Sequence, residues 1–237
     1  MYDTEMNEPE SQNRRKRPTR SELRTESTRL VARVWQAAGV ATIIAGLFLL
    51  AHPVYVGSLT IYPGTDWAFL PMFNAAFTAT GVVAFATGTF LVWGRSPSDR
   101  DLVIVAATTI IAAAFYAVVV LGTYGSSGPY VMEGYAGKRA LVGSVTAGLF
   151  LLGVAATSRR RRIAGYGLAA PVVPLLFVVI DWRSGALLGP VVDVWILLTA
   201  TPLRGVEGIG PLLFLASAAL GLLLGIRNGR IDDQRRR

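Results

Sequence analysis

Six long apolar runs, separated by short polar segments, dominate the pattern of hydrophobic and polar positions along the 237-residue chain. They cover residues 31–51, 72–93, 102–123, 140–157, 163–180 and 209–226. Even an 18-residue run gives about 27 Å of α-helix, which is close to the hydrocarbon thickness of a bilayer. The pattern therefore predicts an all-α, polytopic integral membrane protein with a bundle of six transmembrane helices.

The segments outside the apolar runs divide the chain into three parts. Residues 1–29 are polar, with an acidic front and a basic back, and we predict that they form a disordered cytoplasmic tail because they contain too little apolar surface to fold alone. Residues 30–226 form the predicted transmembrane domain, and residues 227–237 form a basic cytoplasmic tail. The first run begins too late and is too long for a cleaved signal peptide, so we interpret it as an uncleaved signal-anchor.

The distribution of charge predicts the orientation. The formal net charge is +8, which in a soluble protein would favour nucleic-acid binding. If six helices alternate from a cytoplasmic N-terminus, 19 of the 23 lysine and arginine residues lie on the cytoplasmic side, as is typical of proteins of the cell membrane. The expected partners are the lipid bilayer, with anionic headgroups at the cytoplasmic face, and other membrane proteins, while no nucleic acid is expected.

Residues 191–201 form an additional apolar stretch between the fifth and sixth runs. The stretch has 11 residues, about 16 Å of helix, which is roughly half of the hydrocarbon thickness. As a seventh span it would place the basic C-terminal tail outside and weaken the charge asymmetry. It is therefore predicted to be a short re-entrant or interfacial helix, which leaves six spans.

Three local patterns refine this architecture. β-Prone residues flank Gly57-Ser58 in the first outer loop, residues 52–64, and predict a small hairpin. Pro171 and Pro174 predict a kink in the fifth helix, since proline frees a backbone carbonyl. Small residues recur at four-residue spacing in the second, fourth and sixth helices, which favours close packing inside one bundle over a dimer interface. These are Ala76, Thr80, Ala84, Gly88, Gly143, Ala147, Ser217, Gly221 and Gly225.

The residue content of the chain excludes several kinds of catalytic and metal-binding site. It contains no cysteine and a single histidine, His52, which excludes disulfides, thiolate metal centres and sites built from several histidines. No charged side chain lies deep in an apolar run, which disfavours ion-coupled transporters, proton pumps and voltage sensors. No catalytic, cofactor-binding or metal-binding residue is assigned, and no cofactor is expected.

Three arrangements come closest to a functional site. Ser144 and His52 lie at outer helix ends and could form a serine–histidine dyad, but a Gly-x-Ser-Gly motif and a histidine on the sixth helix are missing. Asp193 could line a pore loop, although no selectivity-filter motif accompanies it. The outer carboxylates could hold a hard cation, but without a spaced acidic motif we expect them to be solvated or salt-bridged. They are Asp66, Glu133, Asp181, Asp193 and Glu207.

These patterns favour a non-enzymatic structural or accessory membrane subunit. The alternative is a transporter or permease component for an uncharged or apolar solute, and a membrane enzyme acting at the outer surface ranks third. Scattered polar residues in the spans distinguish the first two, since a polar cavity favours the transporter and a filled core favours the accessory subunit. These residues are Gln36, Asn74, Thr108, Thr109, Tyr116, Ser144 and Thr146.

Overall fold

A computed structural model describes the backbone of residues 20–59, 70–123, 136–158, 160–172 and 209–236. All regular secondary structure in these ranges is α-helical, as predicted. The helices are α1 (Arg20–Leu59), α2 (Leu70–Trp93), α3 (Asp99–Thr123), α4 (Ala136–Ser158), α5 (Arg161–Ala169) and α6 (Ile209–Arg236).

Four of these helices are long and apolar enough to cross a membrane. The crossing segments are Arg29–Pro53 in α1, Phe73–Trp93 in α2, Arg139–Ser158 in α4 and Gly210–Gly229 in α6. They coincide with four of the predicted spans. The 25-residue helix α3 covers the third predicted span, and α5 covers the beginning of the fifth.

The helices α2 and α4 form the centre of the bundle. Helix α4 contacts α2, α3, α5 and α6, while α2 also contacts α1, α3 and α6. Helix α1 lies at the periphery and packs chiefly against α2. Only 11% of the α1 span is buried, against 67% of the α2 span, so most of the α1 surface faces the surroundings of the bundle.

Two pairs of glycines mark the crossing of α1 and α2. A methyl group at Gly39 would lie 2.9 Å from the carbonyl oxygen of Gly88, and one at Gly46 would lie 2.9 Å from the carbonyl oxygen of Gly81. The pairing order is reversed along the two helices, so α1 and α2 are antiparallel. Without side chains at these positions the two backbones approach closely, as is common between membrane helices.

Helix α6 runs parallel to α2. The Ser217 hydroxyl lies 3.3 Å from that of Thr80, and further along both helices the Arg227 guanidinium donates to the carbonyl oxygen of Phe90. Both pairs are separated by the same number of residues in the sequence, so the two helices keep a parallel register.

Helix α6 also runs parallel to α4, through close backbone contacts. A methyl group at Gly221 would overlap the carbonyl oxygen of Phe150, and one at Gly225 would overlap the Thr157 hydroxyl. In the other direction, a methyl group at Gly153 would lie 2.5 Å from the carbonyl oxygen of Ala218. The chain between α4 and α6 therefore returns to the side from which α4 starts.

The predicted rows of small residues are buried at these helix contacts, which confirms that they pack the bundle internally. Every residue of the rows in α2, α4 and α6 is buried. Gly143, for example, faces α3, where an added methyl group would lie 2.6 Å from the Cβ of Ala113.

The predicted hairpin is wrong for the residues that the structure describes. Helix α1 continues through Pro53 to Leu59, so the first β-prone run and Gly57-Ser58 are helical. An isolated two-stranded hairpin is marginally stable, whereas continuing the helix satisfies the backbone groups internally. Residues 60–69, which include the second β-prone run, lie outside the described ranges.

Both predicted tails adjoin helices. Helix α1 begins at Arg20 and so includes the last ten residues of the segment 1–29, for which we predict disorder. Helix α6 continues through most of the basic segment 227–237, to Arg236. Residues 1–19 lie outside the described part of the chain, as does the predicted re-entrant or interfacial segment 191–201.

The fifth predicted helix is interrupted next to the first of its two prolines. Regular α-helix ends at Ala169, the N–H of Ala170 still donates to the carbonyl oxygen of Tyr166, and a turn follows at Pro171. Because proline has no N–H, it cannot continue the hydrogen-bond ladder. Pro174 lies outside the described residues.

Candidate functional site

The interior of the bundle contains buried hydroxyl groups, and most of them bond to their own helix. Thr78 donates to the carbonyl oxygen of Asn74 at 2.8 Å, Thr109 to that of Val105 at 2.7 Å, and Thr146 to that of Val142 at 2.9 Å. Such bonds to a carbonyl one turn earlier satisfy a hydroxyl without any external partner. The hydrogen bonds of these hydroxyl groups are therefore satisfied within their own helices.

A polar contact between helices joins Thr80 of α2 to Ser217 of α6. The Ser217 hydroxyl lies 3.3 Å from the Thr80 hydroxyl, and both hydroxyls approach the carbonyl oxygen of Leu213. Both side chains are buried. The sequence identified Thr80 and Ser217 only as small residues, because nothing local indicates that two hydroxyls on distant segments meet.

The polar residues proposed to distinguish a transporter from an accessory subunit do not all face one space. Asn74, Thr109, Ser144 and Thr146 are buried, whereas Gln36 and Thr108 are exposed. The side chain of Tyr116 lies outside the described ones. Among the buried four, the three hydroxyls donate to carbonyl oxygens of their own helices, while the side-chain oxygen of Asn74 has no hydrogen-bond partner among the described residues.

The serine and histidine considered as a catalytic dyad have separate surroundings. The Ser144 hydroxyl donates to the carbonyl oxygen of Leu141 at 2.8 Å. The His52 ring stacks on Phe77 with ring centroids 3.7 Å apart, and its Nδ1 has no hydrogen-bond partner in the described part of the chain. These contacts are those of packed side chains, and no hydrogen bond joins the two groups.

Arg227 is buried at the end of the bundle where α2 ends, although the sequence places it in the basic tail. It is 6% exposed, and its Nη1 donates to the carbonyl oxygen of Phe90 at 2.7 Å. Phe90 lies in the last turn of α2, where carbonyls lack helical partners and a positive charge is favourable. The adjacent Asn228 is fully buried, and both its polar side-chain atoms lack hydrogen-bond partners among the described residues.

The turn between α2 and α3 ends in a capping box. The backbone N–H and the hydroxyl of Ser98 both donate to the Asp101 carboxylate at 2.9 Å, and the Asp101 N–H donates back to the Ser98 hydroxyl. These hydrogen bonds from Ser98 lower the pKa of Asp101, with smaller contributions from Arg95 and Arg100. The box fixes the start of α3.

A second link joins this turn to the start of α5. The Arg160 guanidinium donates through Nη1 to the carbonyl oxygen of Pro97 and to the carboxylate of Asp99, at 3.0 Å in each case. The two short connections on this side of the bundle are therefore held together by one arginine.

Several sequence hypotheses fall on residues that the structure does not describe. Asp193 and the other four outer carboxylates belong to this group, so neither the pore-loop nor the hard-cation hypothesis is tested. Arg139, counted as an outer-loop cation, is instead a buried side chain at the start of the α4 span. Only the tertiary packing of α4 reveals this burial.

The described fold, with its four long apolar helices, indicates a helical membrane protein. No protein-family model matches the sequence, and neither a curated protein nor a solved structure shows significant similarity to it.

Proposed function

We propose that the chain is a multi-pass protein of the cell membrane that acts as a non-enzymatic structural or accessory subunit. The observation that carries the proposal is the close contact between α4 and α6. There, Gly221 leaves no space for even a methyl group against the backbone of Phe150, and Thr157 lies against Gly225. Such backbone-to-backbone packing builds a stable scaffold rather than a solute path.

The proposed topology has six spans with both termini in the cytoplasm. Its structural support is the parallel direction of α4 and α6, because the chain between them must then cross the membrane an odd number of times. One crossing by the fifth helix meets that condition, whereas an additional crossing by residues 191–201 would make α6 antiparallel to α4. The charge asymmetry of the loops supports the cytoplasmic side for the C-terminal end of α6.

The peripheral helix α1 is the proposed surface for a partner subunit. Its side away from α2 carries exposed apolar residues, including Ile44 and Phe48, of which Phe48 is 72% exposed. In a membrane this face meets either lipid or another membrane helix, and accessory subunits use such faces for association.

Site-specific photocrosslinking in intact membranes tests the accessory role. A photoreactive residue at Ile44 or Phe48 should give a discrete adduct with a second membrane protein. The same probe at Leu91, which is fully buried, serves as the matched control and should give none. Adducts with lipid alone at both α1 positions would contradict the proposal.

The alternative, a transporter or permease component for an uncharged or apolar solute, is favoured by the interruption at Pro171. Broken membrane helices form binding sites in many transporters. However, just before the break, a methyl group at Gly148 would lie 2.7 Å from the carbonyl oxygen of Gly167, so α4 and α5 are closely packed there. Uptake of an apolar solute by proteoliposomes containing the purified protein alone would favour this alternative.

A further inference from the structure

Four exposed arginines lie together at the corner of the bundle where the α2–α3 turn meets the start of α5. We call this surface the arginine patch, and it consists of Arg95, Arg100, Arg161 and Arg162. Arg95 and Arg100 lie close enough to Asp101 to lower the pKa of its carboxyl group. Arg161 and Arg162 directly follow Arg160, whose guanidinium is bound to the same turn. The hydrogen bond of Arg160 therefore holds the two halves of the patch, one on the α2–α3 turn and one on α5, close to each other.

Among the side chains that the structure describes, arginines outnumber carboxylates at this corner, which gives the patch an excess of positive charge. Asp99 pairs with Arg160, and Asp101 accepts two hydrogen bonds from Ser98. Two carboxylates thus stand against five arginines, and the four arginines of the patch remain exposed. A surface of this kind attracts an anionic group, and guanidinium groups bind phosphate oxygens in a bidentate manner.

The position of the patch relative to the membrane surface indicates that the anionic group is a lipid headgroup. The span of α2 ends at Trp93, which is 74% exposed, so Arg95 follows within two residues of the end of the apolar segment. On the other side of the patch, Tyr166 and Leu168 of α5 are exposed. Exposed aromatic rings are typical of the interface between hydrocarbon and headgroups, so the patch lies at the level of the lipid phosphates.

The surface of α5 next to the patch is also open to an acyl chain. A methyl group at Gly165 would have no neighbouring atom within 4 Å among the described residues, which leave the helix backbone uncovered there. Exposed Leu168 lies about one turn further along the helix. Arginines at one end and an uncovered apolar surface leading away from them match the two chemically different parts of a phospholipid.

We infer that the arginine patch binds the headgroup of an anionic phospholipid, with the acyl chain lying along Gly165 and Leu168 of α5. The inference needs the membrane placement in the proposed function but not the accessory role or the orientation. A specific site of this kind differs from general attraction to a charged leaflet, because it depends on particular arginines rather than on total charge.

The test is a titration of the purified, full-length protein in neutral detergent, with bound lipid counted by native mass spectrometry. Phosphatidylglycerol should bind in preference to phosphatidylcholine. The double variant Arg161→Gln/Arg162→Gln should bind phosphatidylglycerol about 25-fold more weakly, since each arginine near a membrane surface contributes about fivefold. The matched control Arg29→Gln/Arg33→Gln removes the same charge from exposed positions of α1 and should leave the affinity unchanged.

Several outcomes would overturn the inference. These are equal weakening in the α1 control, equal binding of phosphatidylcholine, and displacement of the lipid by equimolar inorganic phosphate or polyglutamate, which would indicate a site for a free anion or an acidic protein. If the α5 variant does not fold, Arg95→Gln/Arg100→Gln on the other side of the patch should show the same selective loss, and unchanged binding there would also overturn the inference. Failure of crosslinking at α1 would refute the accessory role and leave this titration unaffected.

Discussion

Gly39 of α1 and Gly88 of α2 lie backbone to backbone, and each occupies the space that a side chain on the other would need. A methyl group at Gly88 would lie 2.6 Å from the carbonyl oxygen of Gly39, and the reciprocal distance is 2.9 Å. The pair Gly46 and Gly81 repeats this relationship two turns away. These two pairs allow the backbones of α1 and α2 to approach closely.

The first prediction concerns this attachment. Gly88→Ala should lower the thermal stability of the detergent-solubilised protein, because the added methyl group overpacks the contact at a cost of about 1–3 kcal/mol. The matched control is Gly165→Ala, where the same methyl group meets no described atom within 4 Å and alanine is the better helix former. Melting curves of the two variants and the wild type make the comparison. Equal stability of Gly88→Ala and Gly165→Ala would refute the close contact.

The second prediction concerns the contact of α4 with α6. Gly221→Leu should lower the melting temperature more than Gly88→Ala does, since a side chain at Gly221 would overlap the Phe150 backbone in the centre of the bundle. Backbone atoms, unlike the end of a flexible side chain, can relieve such an overlap only if the whole helix moves. An unchanged melting temperature would place Gly221 against lipid and remove the main support for the accessory role.

The sequence predicted features that depend on local composition better than features that depend on neighbours. The helices spanning Phe73–Trp93 and Arg139–Ser158 follow from length and apolarity, which each segment carries alone. The hairpin around Gly57-Ser58 is wrong because β-propensity is a weak preference that a helix continuing from α1 overrides.

The candidate site shows the same limit. The sequence assigned Arg227 to the basic tail, residues 227–237, but an arginine near a span can be buried when a neighbouring helix offers a carbonyl oxygen. The meeting of Thr80 with Ser217 was equally inaccessible, because it depends on the register between helices that are distant in the sequence. Small residues at regular spacing did predict the faces that pack, since close approach requires them whatever the partner.

The third prediction tests the buried arginine. Arg227→Leu should destabilise the protein by about 1.5–3 kcal/mol, the usual range for a hydrogen bond that involves a charged group, because the Phe90 carbonyl loses its donor. Arg33→Leu removes an exposed arginine from α1 and should change the stability by less than about 0.5 kcal/mol. Chemical unfolding of both variants in the same detergent gives the comparison. An equal loss of stability in Arg227→Leu and Arg33→Leu would show that Arg227 contributes only its charge and not its hydrogen bond.

The fourth prediction is the pH dependence of the capping box. The pKa of Asp101 is lowered in the folded protein, chiefly by the hydrogen bonds from Ser98, so its contribution to stability is present above the unfolded pKa and is lost as the pH falls through the folded pKa. Asp101→Ala should therefore be less stable than the wild type at pH 6, and the difference should shrink on acidification below about pH 4. Melting curves between pH 6 and pH 3 measure it. A stability difference between Asp101→Ala and the wild type that does not change with pH would show that the capping box does not depend on an ionised Asp101.

The capping serine provides the companion measurement. Ser98→Ala should cost about 0.5–2 kcal/mol, as is typical for removal of an N-cap hydroxyl. In the double variant with Asp101→Ala the loss should be smaller than the sum of the single losses, since both residues belong to one box. Additive losses would indicate that the two side chains act independently.

The last prediction concerns the number of spans, and the absence of cysteine makes it directly measurable. Single cysteines at Ser58 and Gly205 should react with a membrane-impermeant maleimide in intact cells, whereas Gln234→Cys should react only after lysis. The reason is the parallel direction of α4 and α6, which requires an odd number of crossings between them. The proposed orientation, which rests on the charge asymmetry of the loops, then puts the arginine-rich end of α6 in the cytoplasm. Labelling of Gln234→Cys in intact cells, with Gly205→Cys protected, would establish residues 191–201 as a seventh span and would contradict the parallel packing as well.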